Sequence, residues 1–198
     1  MYKRQTHAIA IGSVAHAQEE SSLAMGNLAK ATNTYAYAIG GNAQAKGRWS
    51  IAMGTNAVAE DDASVAIGTW SNATSGQSAA VGYQAKAKAL GATALGRLTN
   101  VTAVDGTAIG SSTSVTGLNG TAIGNKANVT VKNGVAIGNE ANAKNENAVA
   151  IGSGSETAAA VGTTSETVNG EVHNFAGINP TSTVSVGKTG VELSLIHI

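Results

Sequence analysis

A short apolar run ending in glycine returns every 14 residues along most of this chain. The eleven copies end at Gly12, Gly26, Gly40, Gly54, Gly68, Gly82, Gly96, Gly110, Gly124, Gly138 and Gly152, without one slip in spacing. A strict period of this kind marks a repeat architecture, in which each unit buries its surface only against its neighbours. Composition agrees: aromatics make up 4%, Phe occurs once, Gly 25 times, and much of the 42% hydrophobic content is Ala. A thick core of Ala would gain too little apolar burial per residue to offset chain entropy. Disorder goes with high net charge and abundant Pro, whereas here Lys+Arg and Asp+Glu balance at 12 each and Pro occurs once. A thin, ordered core repeated along one axis is the expectation.

Counting from each glycine as zero, position −1 is always aliphatic or Met, as at Ile11, Met25, Val81 and Leu95. Position −3 is mostly apolar (Ile9, Leu23, Tyr37, Ile51, Val65), with Thr or Ala in the middle copies. Position −4 is Ala, Ser or Gly, and positions +3 and +5 are small or short, while +4 is mostly polar (Lys30, Gln44, Asn72, Lys86, Asn128). Alternation of period two on both sides of a glycine predicts two short strands joined by a turn that uses the permissive glycine backbone. Fourteen residues then make one rung of a two-stranded β-roll. Eleven rungs stacked at about 4.8 Å span on the order of 50 Å.

Within a rung, the bulky −1 and −3 side chains are expected to face the small +3 and +5 side chains across the core. That leaves position −2 on the outside, and it is Ala in every copy: Ala10, Ala24, Ala38, Ala52, Ala66, Ala80, Ala94, Ala108, Ala122, Ala136 and Ala150. A water-facing column should be polar and varied, as +4 is. This Ala column is therefore expected to be a close-approach seam against another copy of the chain. The bland alternative is that small residues merely relieve crowding between rungs.

The motif Ser64-Val65-Ala66-Ile67-Gly68 and its period resemble the head of YadA-like trimeric autotransporter adhesins. That resemblance implies a left-handed parallel β-roll packed as a homotrimer, and its left hand comes from the resemblance alone. It also implies display on the surface of a Gram-negative bacterium, beyond the outer membrane, with attachment to extracellular matrix or cells, or autoagglutination. The organisation expected is a non-repeat N-terminus over 1–6, head repeats over 7–162, a non-periodic insertion over 163–182 and a last head strand over 183–192. That strand, Thr183-Val184-Ser185-Val186-Gly187, leads toward a neck, but the tail over 193–198 departs from the neck pattern. Both the tail and the first residues read as foreign to the repeat.

No catalytic, cofactor-binding or metal site is expected. His7, His16, His173 and His197 share no ligand-like spacing, there is no Cys, and Glu60-Asp61-Asp62 is one acidic loop in one rung. Zero net charge gives no handle for nucleic acid. No stretch of 18 apolar residues crosses a membrane as a helix, so no direct membrane contact is expected of this fragment. Asn72, Asn100, Asn119 and Asn128 stand in N-x-T triplets that a chain rich in Asn and Thr produces by composition. Trp49, Trp70, Tyr35 and Tyr83 fall at turn phases, where they either anchor a partner or cover the edge of the roll. The function expected is multivalent adhesion through a repetitive outer surface. The rivals are a structural spacer without its own ligand and, ranked low because Thr at −3 occurs only at Thr93, Thr107 and Thr121, an ice- or crystal-binding solenoid.

Overall fold

The computed structural model describes residues 2, 3 and 6–192. Two parallel sheets run side by side along the repeat axis. One is built of three-residue strands at positions −3 to −1, from Ile9–Ile11 to Val149–Ile151, and the other of two-residue strands at +4 and +5. Between successive rungs of the repeat every pairing joins residues 14 apart, as Val65↔Ala79, Ala66↔Ala80 and Ile67↔Val81 do. The period in the sequence is thus the register of both sheets.

Two turns close each rung. At the first, the N–H of +3 donates back to the carbonyl of the glycine (Ser71 to Gly68, 3.2 Å). At the second, the N–H of −4 donates to the carbonyl three residues earlier (Ser64 to Asp61, 3.2 Å). The repeat glycines hold φ between +112° and +138°, a region closed to residues carrying a Cβ. Stacking excludes other residues too: a Cβ on Gly68 would lie 2.6 Å from the carbonyl oxygen of Gly82 in the next rung. Both turns also place one residue in the left-handed region, at +2 and at −5. Those positions hold Asn42, Asn56 and Asn133, which tolerate it, but also Val14, Trp49 and Trp70, which do so at a cost.

The interior reverses the facing expected from the sequence. Ala10 is 7% exposed, and Ala24, Ala38, Ala52, Ala66, Ala80, Ala94, Ala108, Ala122, Ala136 and Ala150 are wholly buried inside the single chain. With them lie the −4, +3 and +5 side chains. The −1 and −3 side chains point outward: Ile11 is 51% exposed, Leu95 43% and Ile67 37%. A seam at the Ala column is therefore ruled out, because no second chain reaches it. The reason is the narrow gap that such tight turns leave between the sheets. Among the described residues no fully buried side chain is larger than Val, and an Ile or Met at −2 would have nowhere to go.

Within this gap, volumes compensate from rung to rung. Where +5 is Val (Val101, Val115, Val129), the following −4 residue is Gly (Gly106, Gly120, Gly134). A Cβ on Gly106 would sit 2.8 Å from Val101 Cγ1 and 3.1 Å from Val115 Cγ1. Where +5 is Ala, −4 is Ala or Ser, and the buried serine hydroxyls donate to turn carbonyls, as Ser50 does to Gly47 (2.7 Å) and Ser64 to Asp61 (2.6 Å). Buried polar groups satisfied in this way cost the fold little.

After Gly152 the chain leaves the roll and returns with Val184–Ser185. This strand pairs in parallel with the last full rung, Val149↔Val184 and Ala150↔Ser185. Gly187 then stands where the next repeat glycine is due; its N–H donates to Ser155 Oγ (2.8 Å), and its carbonyl accepts from the N–H of Glu156 (2.8 Å). The excursion carries an antiparallel hairpin, Ser165–Val168 with Glu171–Asn174, exposed along nearly its whole length.

Candidate functional site

The outer surface offers two long faces with different chemistry. On the three-residue-strand sheet, the −3 and −1 side chains form a double row of Ile, Val, Leu, Met and Thr, with Tyr37 and Ala79 each once at −3. Its exposed members run from Ile9 and Ile11 through Met25, Met53 and Ile67 to Ile151. Twelve strands spaced at about 4.8 Å make this strip on the order of 50 Å long. A contiguous apolar surface of that length is more than a lone soluble chain ordinarily leaves in water. The strip is what sequence reasoning missed. The alternation marks its residues as bulky and apolar, and their size alone points them inward.

Beside the strip, at the −5 corner, Tyr35 and Trp49 join Tyr37 and Ile51 around a hollow of about 230 Å³. The Arg48 guanidinium lies 4.8 Å from the Trp49 ring centroid, within cation–π range. Of the four aromatics singled out in the sequence, Tyr35 and Trp49 meet here, while Trp70 and Tyr83 lie at the opposite corner.

The two-residue-strand sheet presents the +4 column, flanked by the +2 corner. Like side chains stack between rungs: Asn42 Nδ2 donates to Asn56 Oδ1 (2.8 Å) and Asn128 Nδ2 to Asn142 Oδ1 (3.3 Å). A third amide ladder runs through Asn119, Asn133 and Asn147 at −5. Opposite charges stack likewise, Lys46 on Glu60 (3.1 Å) and Lys126 on Glu140 (3.0 Å). The acidic loop belongs to this pattern. Asp62 Oδ1 accepts the backbone N–H of Arg48 (2.8 Å), and Oδ2 accepts its guanidinium (3.2 and 3.1 Å). The backbone hydrogen bond, then the guanidinium, holds the Asp62 carboxyl below its ordinary value. With Glu60 and Asp62 both paired across rungs, the loop is an inter-rung clasp.

Among the described residues no three His, Asp or Glu side chains converge in a way that could hold a metal ion. His7 occupies an exposed left-handed corner, His16 lies in the +4 column and His173 on the exposed hairpin, while His197 lies outside the described residues. No helix among the described residues is long and apolar enough to cross a membrane.

The collagen-binding domain of the Yersinia adhesin YadA has a similar structure. The likeness covers 91% of this chain and 88% of that one, at 28% identity and a TM-score of 0.62. The C-terminal YadA-like domain of BPSL2063 from Burkholderia pseudomallei is 33% identical over 50% of this chain and 34% of its own, with a TM-score of 0.28. No curated protein matches the sequence. The YadA head domain repeat matches residues 5–29, 31–48, 50–69, 73–99, 102–127 and 132–155, which is most of the roll. On that match, the chain belongs to the YadA head domain family.

Proposed function

We propose that this chain is the head of a bacterial surface adhesin, a left-handed roll that works as a homotrimer with three copies packed along their −1/−3 strips. The observation carrying this reading is the outward-facing strip from Ile9 to Ile151, whose −1 row is aliphatic or Met in every rung. Burying it between copies would remove the apolar surface from water, the main driving force for association. The roll of residues 7–162 and the returning strand within 183–192 belong to this head, with the 163–182 segment an appendage. The outward faces left by such packing carry polar ladders and corner aromatics. Repeated along each roll and over three copies, they favour many weak contacts over one deep pocket. The YadA domain it resembles is a collagen-binding one, so an extracellular matrix protein is the first partner to try, with other bacterial cells the second. The site of action is the surface of a Gram-negative cell, beyond the outer membrane. The chain acts by binding rather than by catalysis.

Sedimentation and engineered cross-linking test the assembly. Ile67→Cys is expected to form disulfide-linked oligomers, whereas Ala66→Cys, one residue away but inside the roll, stays unlinked. A monomeric head, or cross-linking through Ala66→Cys, overturns the seam. Solid-phase binding to collagen and other matrix proteins tests the adhesive role. An assembled head that binds neither matrix proteins nor cells is a spacer.

A further inference from the structure

Four successive rungs build a shallow depression of about 420 Å³ on the outer face of the two-residue-strand sheet, a volume within the usual range for a small-molecule site. Five carboxamides, those of Asn42, Gln44, Asn56, Asn72 and Gln84, surround the indole of Trp70. We propose that this depression binds a neutral oligosaccharide, stacked on Trp70 and held by the surrounding carboxamides.

Trp70 is the first argument. It sits in the +2 corner at φ +62° and remains 54% exposed. One and two rungs earlier in the same column the corner is held by Asn56 and Asn42, residues that enter the left-handed region easily. An indole there gains neither backbone ease nor burial, so packing does not explain it. What it offers is a broad, flat, amphipathic face turned to solvent. The second argument is Asn72, whose Oδ1 is buried without a hydrogen-bond partner. It lies two residues from Trp70 and lines the same depression. Buried acceptors are ordinarily paired, so the Asn72 carboxamide gains a hydrogen bond by turning outward to a ligand hydroxyl in the depression.

The chemistry of the lining selects the ligand class. A carboxamide donates and accepts at once, as a sugar hydroxyl does, and the apolar face of a pyranose ring can lie flat on an indole. Lys86 is the only charged side chain in the lining. Nucleic acids and sulfated or acidic polysaccharides need several cations spaced along the groove, so a neutral chain fits better. Every lining residue belongs to one copy and to the face opposite the apolar strip. The site therefore stands or falls separately from the proposed trimer seam.

The chain holds two tryptophans, so Trp49→Phe leaves Trp70 as the sole indole reporter in the otherwise intact chain. Fluorescence of that variant is titrated with chitotriose, maltotriose, mannotriose and a lactosamine trisaccharide. A saturable change with at least one of them is expected. Calorimetry with the responding sugar then compares the native chain with Trp70→Asn, which installs the residue its own column uses elsewhere and so preserves the fold. Affinity should fall roughly tenfold or more, the scale for losing a central aromatic contact, and Asn72→Ala should weaken binding by a smaller factor. Absence of any saturable response up to millimolar sugar, or undiminished binding by Trp70→Asn, overturns the proposal. A Trp70 response to a collagen peptide but to none of the sugars overturns it in favour of polypeptide docking. Trimer formation and matrix binding, measured on the same samples, report on the adhesin reading independently.

Discussion

Gly106→Ala adds one methyl group to the interior at a place where it cannot fit. The new Cβ would stand 2.8 Å from Val101 Cγ1, 3.1 Å from Val115 Cγ1 and 3.1 Å from the Ala103 carbonyl oxygen. Real Cβ contacts are rarely so short, and the neighbours are side chains locked between two sheets. Overpacking of this kind costs about 1–3 kcal/mol. Val101→Ala does the opposite, deleting two fully buried carbons. At about 0.8 kcal/mol per carbon the transfer loss is roughly 1.6 kcal/mol, and an unfilled gap brings it to about 2–3 kcal/mol. The double variant reproduces the pair found one rung earlier, Ala87 with Ala92, both fully buried. If the two positions share one volume, the double variant should recover much of the combined loss, with a coupling of about 1–3 kcal/mol. Urea melts followed by circular dichroism measure all four corners of the cycle, provided the slope m stays constant. Additive losses, or a Gly106→Ala variant as stable as the parent, would refute the claim that Val at +5 and Gly at −4 fill one cavity together.

Gly68→Ala should destabilise the roll by more than about 1–3 kcal/mol, since strain at φ +123° adds to the 2.6 Å approach to Gly82; thermal melts read this directly. Ala108→Leu, in the column wholly buried within the chain, should unfold its rung and its neighbours, visible as lost amide-exchange protection, whereas Ile109→Thr on the outer strip should leave the monomer fold intact. Ile67→Asp should shift the sedimenting species toward monomer while the circular dichroism spectrum stays unchanged, because its side chain is outside the roll. Asp62, whose native carboxyl is held below its ordinary value of 3.8 by Arg48, favours the fold at pH above 3.8. That contribution is lost as pH falls through the lowered native value. Native protein should therefore lose melting temperature on acidification below about pH 4 slightly faster than Asp62→Asn, a small difference for so exposed a pair, which salt should shrink further.

The rung, the parallel register of residues 14 apart, the turn glycines and the returning strand at Val184–Ser185 could all be read from the sequence. Each depends on a local rule: period two for strands, glycine for a backbone no other residue adopts, and fixed repetition for stacking. The corner residues at +2 and −5 were not legible as left-handed, because Val14, Trp49 and Trp70 carry no such preference. Tertiary stacking imposes the conformation on them through backbone bonds such as Trp70 N–H to Thr55 O (3.0 Å). The more consequential choice was which face of each strand turns inward. Alternation divides a strand into two faces but does not say which is buried when both are apolar, and here one was Ala and the other Ile, Val or Met. Transfer free energy alone favours burying the larger set. The gap between two sheets closed by tight turns admits side chains no larger than Val, so sterics outweighed hydrophobicity. The larger set was left outside, where only another surface can cover it.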